Sequence, residues 1–321
     1  MQVKKILWSL LVTHMTILAV FATPPNARDI LDEAGPIAYI KIFEGRDAIY
    51  VKDSSGENPI FICASERVII LTPSVSQDGK YISFVVDNGK NQKVVHILGP
   101  IEKNGKVWVA PDQELMNIRG GAWPAIKGPG AVYISMPEPT ALVMDKTSNI
   151  YLINGEGIEQ VTDSDTSASH IWPLIHPDGN SIIYRHIPQA DEMGMIYEPI
   201  ASVIQDLNTG ETTKHFEGQF IYMEQWTQSG EILYSLRDKD DNGNRVYLLY
   251  QPETGKSRVV HRSQSRQGAL SVQSKYLATI KLFPAGGAQY DIFVKDMASG
   301  KEINMTSTVD HSESLIGWIT P

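Results

Sequence analysis

The chain has 321 residues, of which 42% are hydrophobic and 20% are charged. This composition is typical of a globular protein with a large core, and it excludes a disordered or low-complexity chain. The formal net charge is −9, so non-specific binding to nucleic acid or to anionic lipid is not expected.

The first 22 residues have the pattern of a secretory signal peptide. Lys4 and Lys5 form a short basic region, a mostly apolar run covers residues 6–21, and Ala22 follows with a small side chain. The run has about 16 residues, fewer than the ~20 that a membrane-spanning helix needs. We therefore expect cleavage near Thr23 and no integral membrane segment in the mature protein, although an uncleaved anchor is an alternative. Because no cysteine follows the run, a lipid anchor is not expected, and the predicted location is periplasmic or secreted.

Residues 23–35 are predicted to form a separate N-terminal segment, with one helical turn at most, near Ile30–Ala34. The single cysteine, Cys63, cannot form an internal disulfide and lies in an apolar run. We expect it to be a buried, inert thiol, which suits a bacterial periplasmic protein better than a disulfide-stabilised scaffold.

Residues 36–321 contain a repeated pattern of strand, tight turn and strand. A second pattern lies between one such tight turn and the next: strand-forming residues are followed by another turn, as in AIYVKDSSGE (48–57) and DIFVKDMASGKEI (291–303). Four short strands in every ~45–50 residues predict a β-propeller; packed β-sandwiches are the alternative. The turn positions are Gly79, Gly130, Gly179, Gly230 and Ser274, spaced by 51, 49, 51 and 44 residues.

The fold class is therefore all-β, with six blades of four antiparallel strands each, named A to D from the axis outward. Blade 1 has only three predicted strands before Pro73, and the chain ends in LIGWITP (315–321), which has the character of an innermost strand. We expect residues 315–319 to pair antiparallel with residues 37–42. This pairing would close the ring and leave no open sheet edge.

The repeated segments resemble the TolB-type propeller repeat. HPDG (176–179), SQDG (76–79) and WTQSG (226–230) are similar to that family's Trp-Ser-Pro-Asp-Gly element, and IYVKDSSG (49–56) is similar to its outer strand and turn. The resemblance covers residues 36–321 and implies the fold rather than a function. The α/β domain that precedes the propeller in TolB has no counterpart in residues 23–35, so the role of TolB in the cell envelope is not carried over.

The loops between strands B and C vary in length and composition, whereas the A–B turns are short and alike. Variable loops on a constant scaffold commonly carry function. In blade 4, Met193, Met195 and Tyr197 add apolar groups to an acidic loop and are candidates for a binding face. The alternative is that they fold back onto the neighbouring blade.

Two histidines are further candidates for functional residues. His170 and His186 are predicted to meet at the B–C face as part of that binding face, where they would form a two-histidine site or be satisfied turn residues. His176 is expected at the opposite face. Arg185, Asp206 and Glu224 are interpreted as ordinary polar residues of strands.

The stretch LRDKDDNGNR (236–245) resembles half of a calcium-binding loop. Asp238, Asp240 and Asn242 alternate and Gly243 follows, but Leu249 stands where an EF-hand has a bidentate glutamate. The hypothesis is a weak calcium site; the alternative is a polar hairpin tip. Its proposed ligands are Asp238, Asp240, Asn242 and Asn244.

No motif for a nucleophile elbow, a zinc site or a phosphate loop is present in the sequence. The leading hypothesis is a non-catalytic, monomeric binding propeller that docks a protein or peptide through its B–C face. The alternative is a propeller enzyme of the lyase or hydrolase type, with its site at the mouth of the axial channel. Trp123, Trp172 and Trp226 recur in strand A and are interpreted as packing between blades rather than as a sugar site.

Overall fold

The computed structural model describes residues 26–43, 46–64, 67–70, 72–89, 92–137, 147–162, 168–189, 199–239, 244–283, 289–307 and 311–320. The predicted signal peptide lies outside these residues. The described chain forms one short helix, six antiparallel sheets arranged as the blades of a propeller, and one separate two-stranded sheet.

The helix, α1 (Ala27–Ala34), precedes the first blade. Asn26 caps it, because its side chain accepts a hydrogen bond from the backbone of Asp29 at 3.0 Å while the Asp29 carboxylate accepts one from the backbone of Asn26. Ile30 and Leu31 are buried in the core between blades 1 and 6. The helix is longer than the single predicted turn, since this reciprocal cap stabilises its first turn.

Blades 1 and 2 contain the irregular parts of the ring. From the axis outward, blade 1 consists of β27 (Ser312–Trp318), β1 (Ile37–Phe43), β2 (Arg46–Asp53) and β3 (Gly56–Ile62). The innermost position of blade 2 is divided between β4 (Val68–Ile69) and β5 (Ser74–Val75), and the sheet continues with β6 (Ile82–Asp87), β7 (Lys93–Leu98) and β10 (Asp112–Ile118). A separate hairpin, β8 (Glu102–Asn104) with β9 (Val107–Val109), is inserted before β10.

The other four blades are regular. Blade 3 consists of β11 (Ala122–Gly128), β12 (Ala131–Met136), β13 (Asn149–Asn154) and β14 (Gly157–Gln160). Blade 4 consists of β15 (Ala168–Ile175), β16 (Ser181–Pro188), β17 (Ala201–Asp206) and β18 (Thr212–His215). Blade 5 consists of β19 (Tyr222–Trp226), β20 (Ile232–Arg237), β21 (Arg245–Gln251) and β22 (Lys256–Ser263). Blade 6 consists of β23 (Gly268–Leu270), β24 (Tyr276–Phe283), β25 (Gln289–Asp296) and β26 (Glu302–Asn304).

The ring is closed by the C-terminal strand, as predicted. Ile37 is paired with Trp318, Tyr39 with Leu315, and the register continues to the partner pair at Ile42 and Ser312. The pairing begins three residues before the predicted Leu315. The six-bladed propeller is therefore confirmed, and blade 1 combines the two ends of the described chain.

The apolar core lies in the layers between adjacent blades. Between blades 1 and 2, for example, Ile40 and Ile49 pack with Ile82 and Phe84 in one buried cluster. The A–B turns lie on one face of the ring, called the A–B face below, and the B–C loops lie on the other, called the B–C face. The innermost strands surround the axis, and their side chains line a central channel.

Candidate functional site

The axial channel forms a sizeable cavity among the described residues. Its volume is about 630 Å³, and strand A of every blade contributes to its wall. Small-molecule and peptide-side-chain sites commonly occupy about 300–1,000 Å³. The channel is therefore large enough to hold a ligand.

Two glutamines obstruct the channel at the A–B face. Gln228 donates through Nε2 to the backbone oxygen of Gln77 at 2.8 Å, and the Gln77 side chain donates to the backbone oxygen of Ile175 at 2.8 Å. Blades 2 and 5 stand opposite each other in a ring of six, so the first bond crosses the axis. Within the described residues, no hydrogen bond joins opposite blades at the B–C face, but residues of the B–C loops, such as 138–146 and 190–198, lie outside the described ranges.

Backbone groups on the free edge of the inner strands form hydrogen bonds with side chains of neighbouring blades. Gln225 accepts a hydrogen bond from the backbone N–H of Leu270 at 2.7 Å and donates to its oxygen at 3.3 Å. Gln267 accepts one from the N–H of Leu315 at 3.0 Å. A ligand in the channel would consequently meet mainly side chains rather than an open strand edge.

An aromatic wall covers one side of the channel. The ring centroid of Trp172 lies 5.7 Å from that of Trp123 and 5.7 Å from that of Tyr222. Both tryptophans have left-handed backbones, with φ of 54° at Trp123 and 65° at Trp172, at bulges in β11 and β15. Such strain is costly for a bulky residue and is often found at binding sites.

The three tryptophans, predicted from the sequence to pack between blades, do not occupy equivalent positions. Trp123 and Trp172 lie seven residues before Gly130 and Gly179, whereas Trp226 lies only four residues before Gly230. Trp226 is buried between blades, and its ring contacts His176 at a centroid distance of 4.7 Å. Trp226 borders the channel from this buried position, whereas Trp123 and Trp172 are only partly buried and line the channel at their bulges.

Arg185 on β16 supports this aromatic wall. Its guanidinium lies 5.0 Å from the ring of Trp172 and 4.1 Å from the ring of Phe220, and the residue is only 1% exposed. Neither terminal nitrogen has a hydrogen-bond partner among the described residues. Burial lowers the pKa of Arg185 to about 10, so the side chain stays cationic at neutral pH. Its interaction with the aromatic rings offsets part of the lost hydration.

Glu224 forms a polar group in the channel wall opposite blade 2. Its carboxylate accepts a hydrogen bond from Ser235 at 2.6 Å, and Arg245 lies 3.8 Å away. Arg245 also lies over the ring of Tyr222 at 3.9 Å. Burial raises the pKa of Glu224 to about 7, against the lowering effects of Ser235 and Arg245. Sequence reasoning missed this carboxyl, because its burial depends on a neighbouring blade.

Glu313 on β27 is a second buried carboxyl in the channel wall. The side chain has no exposure to bulk solvent, and neither of its oxygens has a hydrogen-bond partner among the described residues. Burial raises the pKa of Glu313 to about 7. The sequence contains no signal for this residue, which precedes the predicted closing strand of residues 315–319.

The two predicted histidines of the B–C face lie together. His170 and His186 are antiparallel partners in blade 4, and Nε2 of His170 lies 3.1 Å from Nδ1 of His186. Asn149 also hydrogen-bonds His170, at 3.2 Å. His176 lies at the A–B face, where it contacts Asp178 at 2.7 Å. The binding-face candidates Met193, Met195 and Tyr197 lie outside the described residues.

Two of the four proposed calcium ligands also lie outside the described residues, namely Asp240 and Asn242. Asp238 is paired with Arg262, and its backbone N–H donates to the oxygen of Asn244 at 2.9 Å. Within the part of the chain that the structure describes, no group of three or more His, Cys, Asp or Glu residues is arranged to hold a metal ion. The calcium site stays a prediction, and an ion there would compete with Arg262 for Asp238.

Solved structures share this architecture. TolB from Acinetobacter baumannii is 14% identical, covers 91% of this chain and 68% of its own, and superposes with a TM-score of 0.63. A putative TolB from Agrobacterium tumefaciens is 12% identical, with 88% and 98% coverage and a TM-score of 0.53. The periplasmic gluconolactonase of Pseudomonas aeruginosa is 11% identical, with 88% and 99% coverage and a TM-score of 0.51.

These similarities define the fold as a TolB-like six-bladed β-propeller. No protein-family model matches the sequence, and neither does any curated protein. Because the solved neighbours include both TolB proteins and an enzyme, the fold is compatible with binding and with catalysis. In the described residues, no helix is long and apolar enough to cross a membrane.

Proposed function

We propose that this protein is an exported, non-catalytic binding module that receives a segment of a partner peptide in its axial channel through the B–C face. The observation that carries the proposal is the channel itself, a cavity of about 630 Å³ that Gln77 and Gln228 obstruct at one end. A cavity entered only from the B–C face, as we propose, would suit a projecting side chain or chain end. It suits a flat protein surface less well.

The aromatic wall supports a peptide ligand. Trp123, Trp172 and Tyr222 offer rigid apolar surfaces that gain much from contact and lose little conformational entropy on binding. Arg185 holds Trp172 from behind at 5.0 Å, so the wall is organised before a ligand arrives. Preorganisation of this kind lowers the cost of binding.

Export and a monomeric state belong to the same proposal. The predicted signal peptide, residues 1–22, motivates export, and the similar gluconolactonase is described as periplasmic. The net charge of −9 argues against nucleic acid as the partner.

The second candidate function is catalysis in the same channel. Glu224 and Glu313 favour it, because burial raises the pKa of each to about 7. A carboxyl with such a pKa is partly protonated at neutral pH and can both donate and accept a proton. Peptides that bind in the channel would then be recovered cleaved or chemically changed rather than intact.

The test is a selection of binders from a random peptide library displayed on phage, against purified mature protein. Selected peptides are expected to bind wild type and to lose at least tenfold in affinity for Trp172→Ala. A matched control is Val259→Ala, which removes a half-exposed apolar side chain from an outer strand. Equal affinity for wild type and Trp172→Ala would place binding elsewhere and overturn the proposal. Mass spectrometry of the recovered synthetic peptides separates binding from catalysis.

A further inference from the structure

Glu313 is the polar group of the channel that lacks a partner of its own. Its side chain lies in the wall of the cavity and has no exposure to bulk solvent. Neither oxygen accepts a hydrogen bond from any described residue. Removing a carboxylate from water without such bonds is costly, so a group in this position is either protonated or paired when the site is filled.

The charged groups around Glu313 are mostly committed to other partners. Lys41, its neighbour across the strand pair, donates to Glu57 at 2.6 Å, and Asp291 accepts from Asn304 at 2.7 Å. His311 approaches Glu313 only to 3.8 Å, beyond hydrogen-bond distance. Burial raises the pKa of Glu313 most; the nearby Thr306 hydroxyl and the charge of Lys41 lower it, and the carboxylates of Asp291 and Glu57 raise it. The Thr306 hydroxyl does not form a hydrogen bond of good geometry with either oxygen.

We propose that Glu313 is the anchor for a basic group of the ligand, a primary ammonium or a guanidinium, that enters the axial channel. This inference rests on the proposed function and names the chemistry that the channel selects. Such a group carries several N–H donors and a positive charge, and it could therefore donate hydrogen bonds to both Glu313 oxygens and neutralise the carboxylate. A lysine or arginine side chain, or a free amino terminus, would supply it.

Other features of the channel fit a cationic group. Arg266 already lies over the ring of Tyr290 at 5.1 Å, and Arg245 lies over Tyr222 at 3.9 Å, so rings of the channel wall accept positive charge on their faces. The net charge of −9 favours the approach of a cation. Arg185 lies behind the aromatic wall rather than in the channel lining. Arg245 and Arg266 do line the channel, and Arg245 is paired with Glu224.

Three small probes of similar size test the proposal: butylamine, propylguanidine and butyrate. Binding to the mature protein is measured by calorimetry and by NMR chemical-shift changes. The two cations are expected to bind and butyrate is not. Glu313→Gln should weaken cation binding at least tenfold, Glu313→Asp should retain part of it, and Glu114→Gln, on an exposed outer strand, should leave it unchanged.

The pH dependence gives a second readout. Only the ionised Glu313 attracts a cation, so affinity should fall as the pH is lowered from 8 to 6, through the raised pKa of about 7. Glu313→Gln should remove this dependence. The inference is overturned if Glu313→Gln binds the cations as wild type does, if butyrate binds better, or if neither cation binds. If the probe experiments fail but selected peptides still depend on Trp172, only the role of Glu313 as a basic anchor is refuted. If both experiments fail, the channel is not a binding site.

Discussion

Ser274 holds a backbone conformation that glycine holds in the corresponding turns of other blades. Its φ is 55°, compared with 70° at Gly79, 74° at Gly179 and 79° at Gly230. A side chain in this left-handed region costs about 1–2 kcal/mol relative to glycine. Ser274→Gly should therefore stabilise the protein by about 1 kcal/mol, measured by urea unfolding.

The reverse substitution is the matched control. A Cβ added at Gly179 would meet no other atom within 4 Å, so Gly179→Ser isolates the cost of the backbone conformation. It should destabilise by a similar amount. The explanation fails if Ser274→Gly is neutral while Gly179→Ser is destabilising, because the turn of blade 6 would then not be strained.

Glu224 should make stability depend on pH. Its folded pKa of about 7 lies above the ordinary 4.5, so between these values the folded state binds more protons than the unfolded state. The free energy of unfolding therefore decreases as the pH rises from 4.5 to 7, and the added stability is complete below 4.5. One such carboxyl contributes on the order of 3 kcal/mol to this difference.

Urea unfolding at pH 5 and at pH 8 measures this effect. Glu224→Gln should reduce the difference between the two pH values, and Glu114→Gln should not. If the free energy of unfolding of Glu224→Gln differs between pH 5 and pH 8 as much as that of wild type, folding does not raise the pKa of Glu224.

The site residues separate into those that sequence patterns can predict and those that they cannot. His170 and His186 can be placed together because antiparallel register follows from the strands and their turn. Arg185 and Glu224 were interpreted as ordinary strand residues, since alternation along a strand does not tell which neighbour covers a side chain. Their burial comes from adjacent blades.

Among the strands, β27 closes the ring, because it is the innermost strand of blade 1. Leu315, Trp318 and Ile319 are buried, and Trp318 donates to the backbone oxygen of Ala269 at 3.0 Å. Burial of each such side chain contributes about 1.5–3 kcal/mol, so their loss rivals the ~5–15 kcal/mol stability of a domain. A chain without residues 315–321 should fail to fold stably, as judged by circular dichroism and thermal melting.

Ile316→Ala is the mild comparison, because this side chain is only partly buried and lies at the edge of the core, where it lines the channel. It should melt close to wild type. Wild-type melting of the truncated chain would mean that blade 1 is stable with three strands.

Elements with a repeated pattern were predicted well, and irregular ones were not. The strands of blades 3 to 6 follow the repeat, whereas the hairpin β8–β9 and the divided inner strand of blade 2 depart from it. Helix α1 is longer than predicted because Asn26 and Asp29 cap it reciprocally. The capping pattern was the available signal.

At the scale of the whole molecule, the sequence predicts the ring but not the obstruction of its channel. Blade number follows from turn spacing and from the incomplete first blade, both local properties of the chain. The bond between Gln228 and Gln77 joins residues 151 positions apart in opposite blades. A pair of polar turn residues gives no local signal that they meet across an axis.

This glutamine bridge should couple the stability of opposite blades. Gln228→Ala removes the 2.8 Å bond to the backbone of Gln77, and Gln77→Ala removes the 2.8 Å bond to Ile175 that orients that backbone. Each substitution should cost about 0.5–1.5 kcal/mol. The double variant should lose less than the sum, since each bond positions the partner of the other.

A double-mutant cycle measured by urea unfolding tests this coupling. The control cycle pairs Gln77→Ala with Thr209→Ala, whose side chain lies in an exposed outer turn of blade 4. That pair should be additive within about 0.5 kcal/mol. Additivity of the Gln77 and Gln228 variants as well would indicate that the bridge does not hold the two blades together. The A–B face would then be open in solution, and a ligand in the channel would reach solvent at both ends.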